Sequence, residues 1–228
     1  METPPVVRVV RPDYPQIGEH LRLRRKALGL SLRDLADRLD VSPSLISQIE
    51  TGRANPSVST LYALVAELEV SLDELLFNER RSAAERADRD ADAPDDGVPA
   101  TGERGGPVQR SDQRKRIRLA SGVIWERLTT RSEPGTEFLY VIYEVGGASG
   151  PADAYQRHAG HEWGYVISGS LAVTIGFAEY VLQPGDAVSL DSTTPHRLAN
   201  VGDTPVHAIW FVEGRDPHDA ERRRGGTD

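Results

Sequence analysis

Residues 30–76 read LSLRDLADRLDVSPSLISQIETGRANPSVSTLYALVAELEVSLDELL, and the punctuation of this stretch decides the fold of the first third of the chain. Ser31 stands before Leu32–Leu39 with Asp34 at the third helical position. A serine there accepts an orphan backbone N–H, and the acidic residue returns the bond, as in a capping box. Leu35, Ala36 and Leu39 give this helix its apolar face. Asp40-Val41 is a tight connection, in which Asp40 can take the left-handed conformation at modest cost. Ser42 caps the next helix, and Pro43 fills its first position, where a missing N–H is harmless. Thr51-Gly52 ends that helix near Glu50. A fourth helix starts at Ser57 or Ser59 and carries Leu61, Leu64, Val65 and Leu68, and Ser71 caps a fifth, LDELLF. On the N-terminal side a first helix runs from Ile17 to Leu28, with Ile17, Leu21 and Leu28 on one face. Arg22, Arg24, Arg25 and Lys26 crowd the rest of it, and Gly29 stops it.

Two short helices joined by a brief turn, with small Ala36 where they cross, make a helix-turn-helix. Ile46 and Ile49 face inward, which leaves Pro43, Ser44, Ser47 and Gln48 outward. A helix with small polar residues near its start fits the major groove of DNA. Gln48 can pair with adenine through two hydrogen bonds, Ser44 and Ser47 can donate or accept, and Pro43 can touch a thymine methyl. Arg53 and Asn55 just past the helix, Arg33, and Ser42 at the helix start are the candidates for backbone contact. With the string Ile46, Ser47, Glu50, Gly52 and Pro56, residues 17–77 resemble the lambda-repressor-like, XRE-type DNA-binding domain. The resemblance implies double-stranded operator DNA as partner.

Beyond the fifth helix the composition changes. Residues 78–112 are mostly Ala, Arg, Asp, Gly and Pro, too poor in apolar side chains to offset their ordering entropy, so the reading there is a flexible linker. From about Arg116 short apolar runs alternate with Gly, Pro, Asp and Asn, the pattern of strands in a sandwich or barrel. Five of the six histidines fall here or later: His158, His161, His196, His207 and His218. HAGHEWGYVISG (residues 158–169), Pro184-Gly185-Asp186 and PHRLAN (residues 195–200) resemble the two signature motifs of cupins, small antiparallel double-sheet barrels of the jelly-roll kind. The first motif departs from the family at its opening histidine, where Gln156 stands, two residues before His158. The resemblance puts His158, Glu162 and His196 at the metal-ligand places, with Gln156 as an added oxygen ligand. Two histidines and a carboxylate suit a divalent Fe, Mn, Ni or Zn ion. Tyr155, Tyr165 and Trp210 are the candidate pocket aromatics. His161 reads as an exposed loop histidine, His207 as a packed strand residue, and Arg197 as pointing outward.

The expected organisation is two-domain. An extension (1–16) precedes an all-α head of five helices (17–77). The linker (78–112) follows, then an all-β cupin domain (113–214) and a disordered tail (215–228). Bulk charge excludes a protein that coats nucleic acid, since 27 Lys+Arg stand against 35 Asp+Glu, a net of −8. The absence of cysteine removes disulfides, cysteine zinc sites and thiol nucleophiles. No apolar run has the length of a membrane span, and METPPVVRVVRPDYPQ lacks the apolar region of a signal peptide, so the expected residence is cytoplasmic with no membrane partner. The architecture resembles that of transcription regulators in which the head binds operator DNA, the cupin senses a small-molecule effector through or beside a metal, and cupin domains pair into a homodimer. No residue is assigned a catalytic role in that reading. The alternative is a mononuclear non-heme iron cupin enzyme of the hydroxypropylphosphonate epoxidase kind, in which His158, Glu162 and His196 hold Fe(II) and the head only aids packing.

Overall fold

The computed structural model describes residues 14–70, 75, 106–131, 133 and 135–214. The expected tail, most of the extension and residues 78–105 of the expected linker lie outside these. The head contains α1 (Tyr14–Ala27), α2 (Leu32–Arg38), α3 (Pro43–Glu50) and α4 (Val58–Glu67). Among the described residues that is four helices rather than five. The stretch expected to form the fifth lies outside them apart from Leu75, which is buried.

The caps explain the boundaries. The Ser31 Oγ accepts from the Asp34 N–H and the Asp34 carboxylate accepts from the Ser31 N–H, a complete capping box that also holds the Asp34 carboxyl below its ordinary range. Ser42 Oγ caps α3 through the Leu45 N–H, and Ser57 Oγ caps α4 through that of Thr60. Asp40 sits at φ 52°, the left-handed turn residue between α2 and α3. Leu35, Ala36, Ile46, Leu61, Leu64 and Leu68 close over one another as the head's core, each large side chain contributing on the order of 2 kcal/mol of hydrophobic stabilisation. Gly18 of α1 lies against the end of α3, where a Cβ would stand 2.4 Å from the Ile49 carbonyl oxygen. Arg25 does not belong to an exposed basic cluster. It is buried, its guanidinium donates to both Glu50 oxygens (2.6 and 2.9 Å) and to the Leu30 carbonyl (2.7 Å), and the carboxylate raises its pKa.

The second domain is two packed antiparallel sheets. Six strands run in the order β1 (Arg116–Arg118), β2 (Val123–Arg127), β3 (Thr136–Tyr143), β9 (Val206–Glu213), β4 (His161–Ser168), β7 (Ala187–Asp191). Three more run β6 (Ala178–Leu182), β5 (Leu171–Ile175), β8 (His196–Asn200). The period of two shows in burial: Glu162, Gly164 and Val166 of β4 face inward with Ala208, Trp210 and Val212 of β9, while their neighbours face out. The outward set is unusually apolar. Trp163, Tyr165 and Ile167 are 40%, 48% and 43% exposed, and Trp163 and Phe138 both pack against Phe211 with ring centroids 5.6 and 6.1 Å away.

The head rests directly on the barrel. The Ser59 N–H donates to the Ser149 carbonyl (3.0 Å) and the Ala120 N–H donates to the Pro56 carbonyl (3.0 Å). No helix among the described residues is long and apolar enough to cross a membrane.

Candidate functional site

The first candidate surface is the face of α3. Ser42, Pro43, Ser44, Gln48 and Arg53 are exposed, Ser47 and Asn55 are half-buried, and Arg33 is exposed on α2. Ile46, Ile49 and Glu50 anchor the opposite side of the helix. The Gln48 amide donates to the Ser44 hydroxyl at 3.3 Å, so the two side chains lie next to each other on the open face. Ser42 differs from the rest: its hydroxyl is engaged by the Leu45 N–H, so it builds the helix start.

The second candidate is inside the barrel, where His158, Glu162 and His196 bring one ligand atom each to within 4.8 Å of one another. They come from three separate segments. Glu162 is on β4, opposite Leu190 of β7 and Val212 of β9. His196 opens β8, and His158 lies in the loop before β4, its N–H donating to the Ser192 carbonyl. Gln156 and His196 exchange both backbone hydrogen bonds (2.9 and 3.0 Å), which puts their side chains on the same face.

Hydrogen bonding sets the state of each ring. A carbonyl can only accept, so His158 Nδ1, at 3.0 Å from the Ala159 oxygen, and His196 Nδ1, at 2.9 Å from that of Thr194, both carry protons. Each Nε2 then turns its lone pair, when the ring is neutral, toward Glu162 Oε1, at 2.8 and 3.2 Å. His196 is 0% exposed and its Nε2 makes no hydrogen bond, and neither does the buried Gln156 Oε1. Buried acceptors facing a carboxylate are an unfavourable set unless positive charge lies between them, as a bound cation or a second ring proton. Histidines pinned by backbone carbonyls through the second ring nitrogen are the usual preparation for metal ligation. These residues therefore fit a divalent metal.

Glu162 is itself positioned. Ser192 Oγ donates to Oε1 (3.0 Å) and Trp210 Nε1 to Oε2 (2.5 Å). Trp210 reaches it by crossing Gly164, where a Cβ would fall 2.1 Å from the indole ring, so this glycine is required by the indole. Tyr143, on the inner face of β3, has its phenol pKa pushed up by burial and then by the Glu162 charge, so it stays a neutral hydroxyl.

Two expected pocket residues are elsewhere. Tyr165 is on the outer face of β4, as strand parity with buried Glu162 and Gly164 requires, and Tyr155 is exposed in the loop before Gln156. Trp210 alone of the three faces the cluster. His161 is the first residue of β4 rather than a loop residue and packs on Trp163 at 4.7 Å. His207 packs on Tyr140, with the phenol oxygen 2.9 Å from Nδ1, and Arg197 points outward to the Gly150 and Pro151 carbonyls. Sequence reasoning missed Ser192, Tyr143 and Tyr62. Tyr62 of α4 packs on His158 (ring centroids 5.0 Å) and on Trp125 of β2 (5.5 Å). Its one sequence signal is an aromatic side chain standing off the Leu61, Leu64, Val65, Leu68 stripe.

Comparison with known proteins agrees with the geometry. The helix-turn-helix family matches residues 21–75 and the cupin domain family matches residues 139–212. The chain thus carries a helix-turn-helix domain of the XRE type followed by a C-terminal cupin domain. It is similar to the HTH-type transcriptional regulator PuuR of Escherichia coli (strain K12), with 26% identity over 185 residues covering 80% of this chain and 86% of PuuR. The HTH-type transcriptional regulator SlrR of Bacillus subtilis (strain 168) is 48% identical over 60 residues, 26% of this chain and 40% of SlrR. An HTH_3 family transcriptional regulator from Vibrio cholerae shares the fold, with a TM-score of 0.57 and 20% identity, covering 88% of this chain and 96% of that one.

Proposed function

We propose that the chain is a sequence-specific DNA-binding transcription regulator, working in the cytoplasm, whose cupin domain binds a small-molecule effector at a divalent metal. The observation that carries the reading is the open polar face of α3, with Ser44 and Gln48 exposed on a helix whose other side is locked into the head. His158, Glu162 and His196, with Gln156 beside them, would hold the metal, which would offer remaining coordination positions to an effector. Tyr143 and Ser192 supply hydroxyls near it. The same donor types serve iron oxygenases, and it is the exposed reading helix that favours a regulator.

The apolar outer face of β3, β9 and β4 fits a second copy of the chain. Trp163, Tyr165, Ile167 and Phe138 form a patch of the kind that marks interfaces. A homodimer through it would place two heads on a pseudo-palindrome with half-sites about 34–36 Å apart, or a multiple of that.

Footprinting on DNA upstream of the chain's own gene tests the reading. The expected result is a protected site whose affinity falls steeply with salt, from counterion release. Gln48→Ala should relax preference at one base pair by about 1–3 kcal/mol while leaving the salt slope unchanged. Protection without sequence preference, with and without metal, would overturn it.

A further inference from the structure

The cluster inside the barrel is not closed by the barrel alone. One face of α4, with Leu61, Leu64 and Val65, and the C-cap Leu68 beyond it build the head's core. Ser59 and Tyr62, one turn apart, sit on a different face, and that face meets the cupin domain. Tyr62 packs on the ring of His158, whose Nε2 aims at Glu162, and on Trp125 of β2. The Ser59 N–H donates to the Ser149 carbonyl, and Gly150 is close enough that a Cβ there would be 3.4 Å from that of Ser59. The same docking leaves Ser44 and Gln48 of α3 exposed. Docking therefore orients the reading face without covering it.

We propose that the DNA-binding head is the lid of the cupin pocket, with Tyr62 its closing side chain, so that filling the pocket and holding the head against the barrel are one coupled equilibrium. This rests on the metal-site reading above. A ligand that extends past His158 on the Tyr62 side must displace the ring and loosen α4. An ion held among the Nε2 atoms and the carboxylate leaves the ring in place. Head docking and the binding of such a ligand then disfavour each other by the same factor. The coupling runs through direct contact and needs no force carried along residues 78–105.

The absence of cysteine makes a clean test possible. The double variant Ser59→Cys/Gly150→Cys sets two Cβ atoms near the disulfide range of about 3.5–4.5 Å. In the full chain the pair is expected to cross-link on mild oxidation, and Tyr62→Ala in that background should slow cross-linking severalfold. With Mn(II) or Zn(II) as probe, the oxidised form should take up metal about tenfold or more slowly than the same protein reduced, with Tyr62→Ala restoring the rate. A folded, DNA-binding variant that fails to cross-link overturns the proposal, and so does a cross-linking rate indifferent to Tyr62. Equal metal uptake by oxidised and reduced forms also overturns it. If wild-type protein binds no metal, the metal-site reading fails by itself, and the Tyr62 dependence of cross-linking still decides the lid.

Discussion

The proposed reading helix and the proposed metal cluster solve opposite problems with similar residue types. On α3 the functional side chains are exposed and lightly constrained, Gln48 touching only a neighbouring serine within hydrogen-bond reach in the described contacts. In the barrel Glu162 and His196 are buried, His158 nearly so, and each of the three is held by a further hydrogen bond: His158 to Ala159, His196 to Thr194, Glu162 to Ser192 and Trp210. Reading base edges requires polar atoms that water can leave and DNA can replace. Holding a cation requires lone pairs fixed before it arrives. Rigidity consequently sits behind α3, in its anchoring side, and within the cluster itself in the barrel.

The largest effect should come from breaking the barrel side of this contrast. His158→Ala/His196→Ala removes both imidazoles and leaves Glu162 with Ser192 and Trp210. Elemental analysis of the purified protein should fall from about one divalent metal per chain to none. Equal metal in variant and wild type would show that the cluster is not the site. The head's binding to DNA in the absence of effector should persist, since α3 contains none of these residues.

A smaller loss, on the head side, tests where its rigidity lies. Glu50→Ala strands the buried Arg25 guanidinium, which keeps only the Leu30 carbonyl. Removing one member of a buried pair costs about 3–5 kcal/mol. The head's unfolding transition should move down sharply while the barrel's is unchanged, and DNA binding should fail with the head. A head transition moved by only about a degree or two would mean the pair is not what anchors the end of α3.

The three helices α2, α3 and α4 were legible nearly to the residue because their signals are local, whereas α1 starts at Tyr14, three residues before the expected Ile17. Caps at Ser31, Ser42 and Ser57, the left-handed Asp40 and the small Ala36 each act within one turn of chain. The barrel was legible in its motifs and less so in its faces. Tyr165 was expected inside, and parity with Glu162 puts it outside, which counting in twos along a strand that begins at His161 makes plain. Arg25 looked like one charge in a basic run, because its partner Glu50 is brought near only by the packing of α1 on α3. Tyr62 was invisible for the same reason at longer range: nothing near it in sequence tells that a helix of the head will lie on a strand loop of the barrel.

The smallest effect sharpens the contrast most finely, inside α3 itself. Ser42 and Ser44 are two residues apart, both exposed, and both read from sequence as facing DNA. The structure separates them: Ser42 Oγ takes the Leu45 N–H, while Ser44 meets Gln48 on the open face. Ser42→Ala should therefore cost about 1 kcal/mol of head stability, a fall of about 4–8 °C in the head's melting temperature for a domain of this size. Base preference measured at a temperature where the head stays folded should be unchanged. Ser44→Ala should do the reverse, leaving the melting temperature within about a degree and altering preference at the base pair beside that read by Gln48. A Ser42 variant that changes base preference at full stability would extend the reading surface two residues, onto the N-cap itself, and Ser42 would then read as well as build.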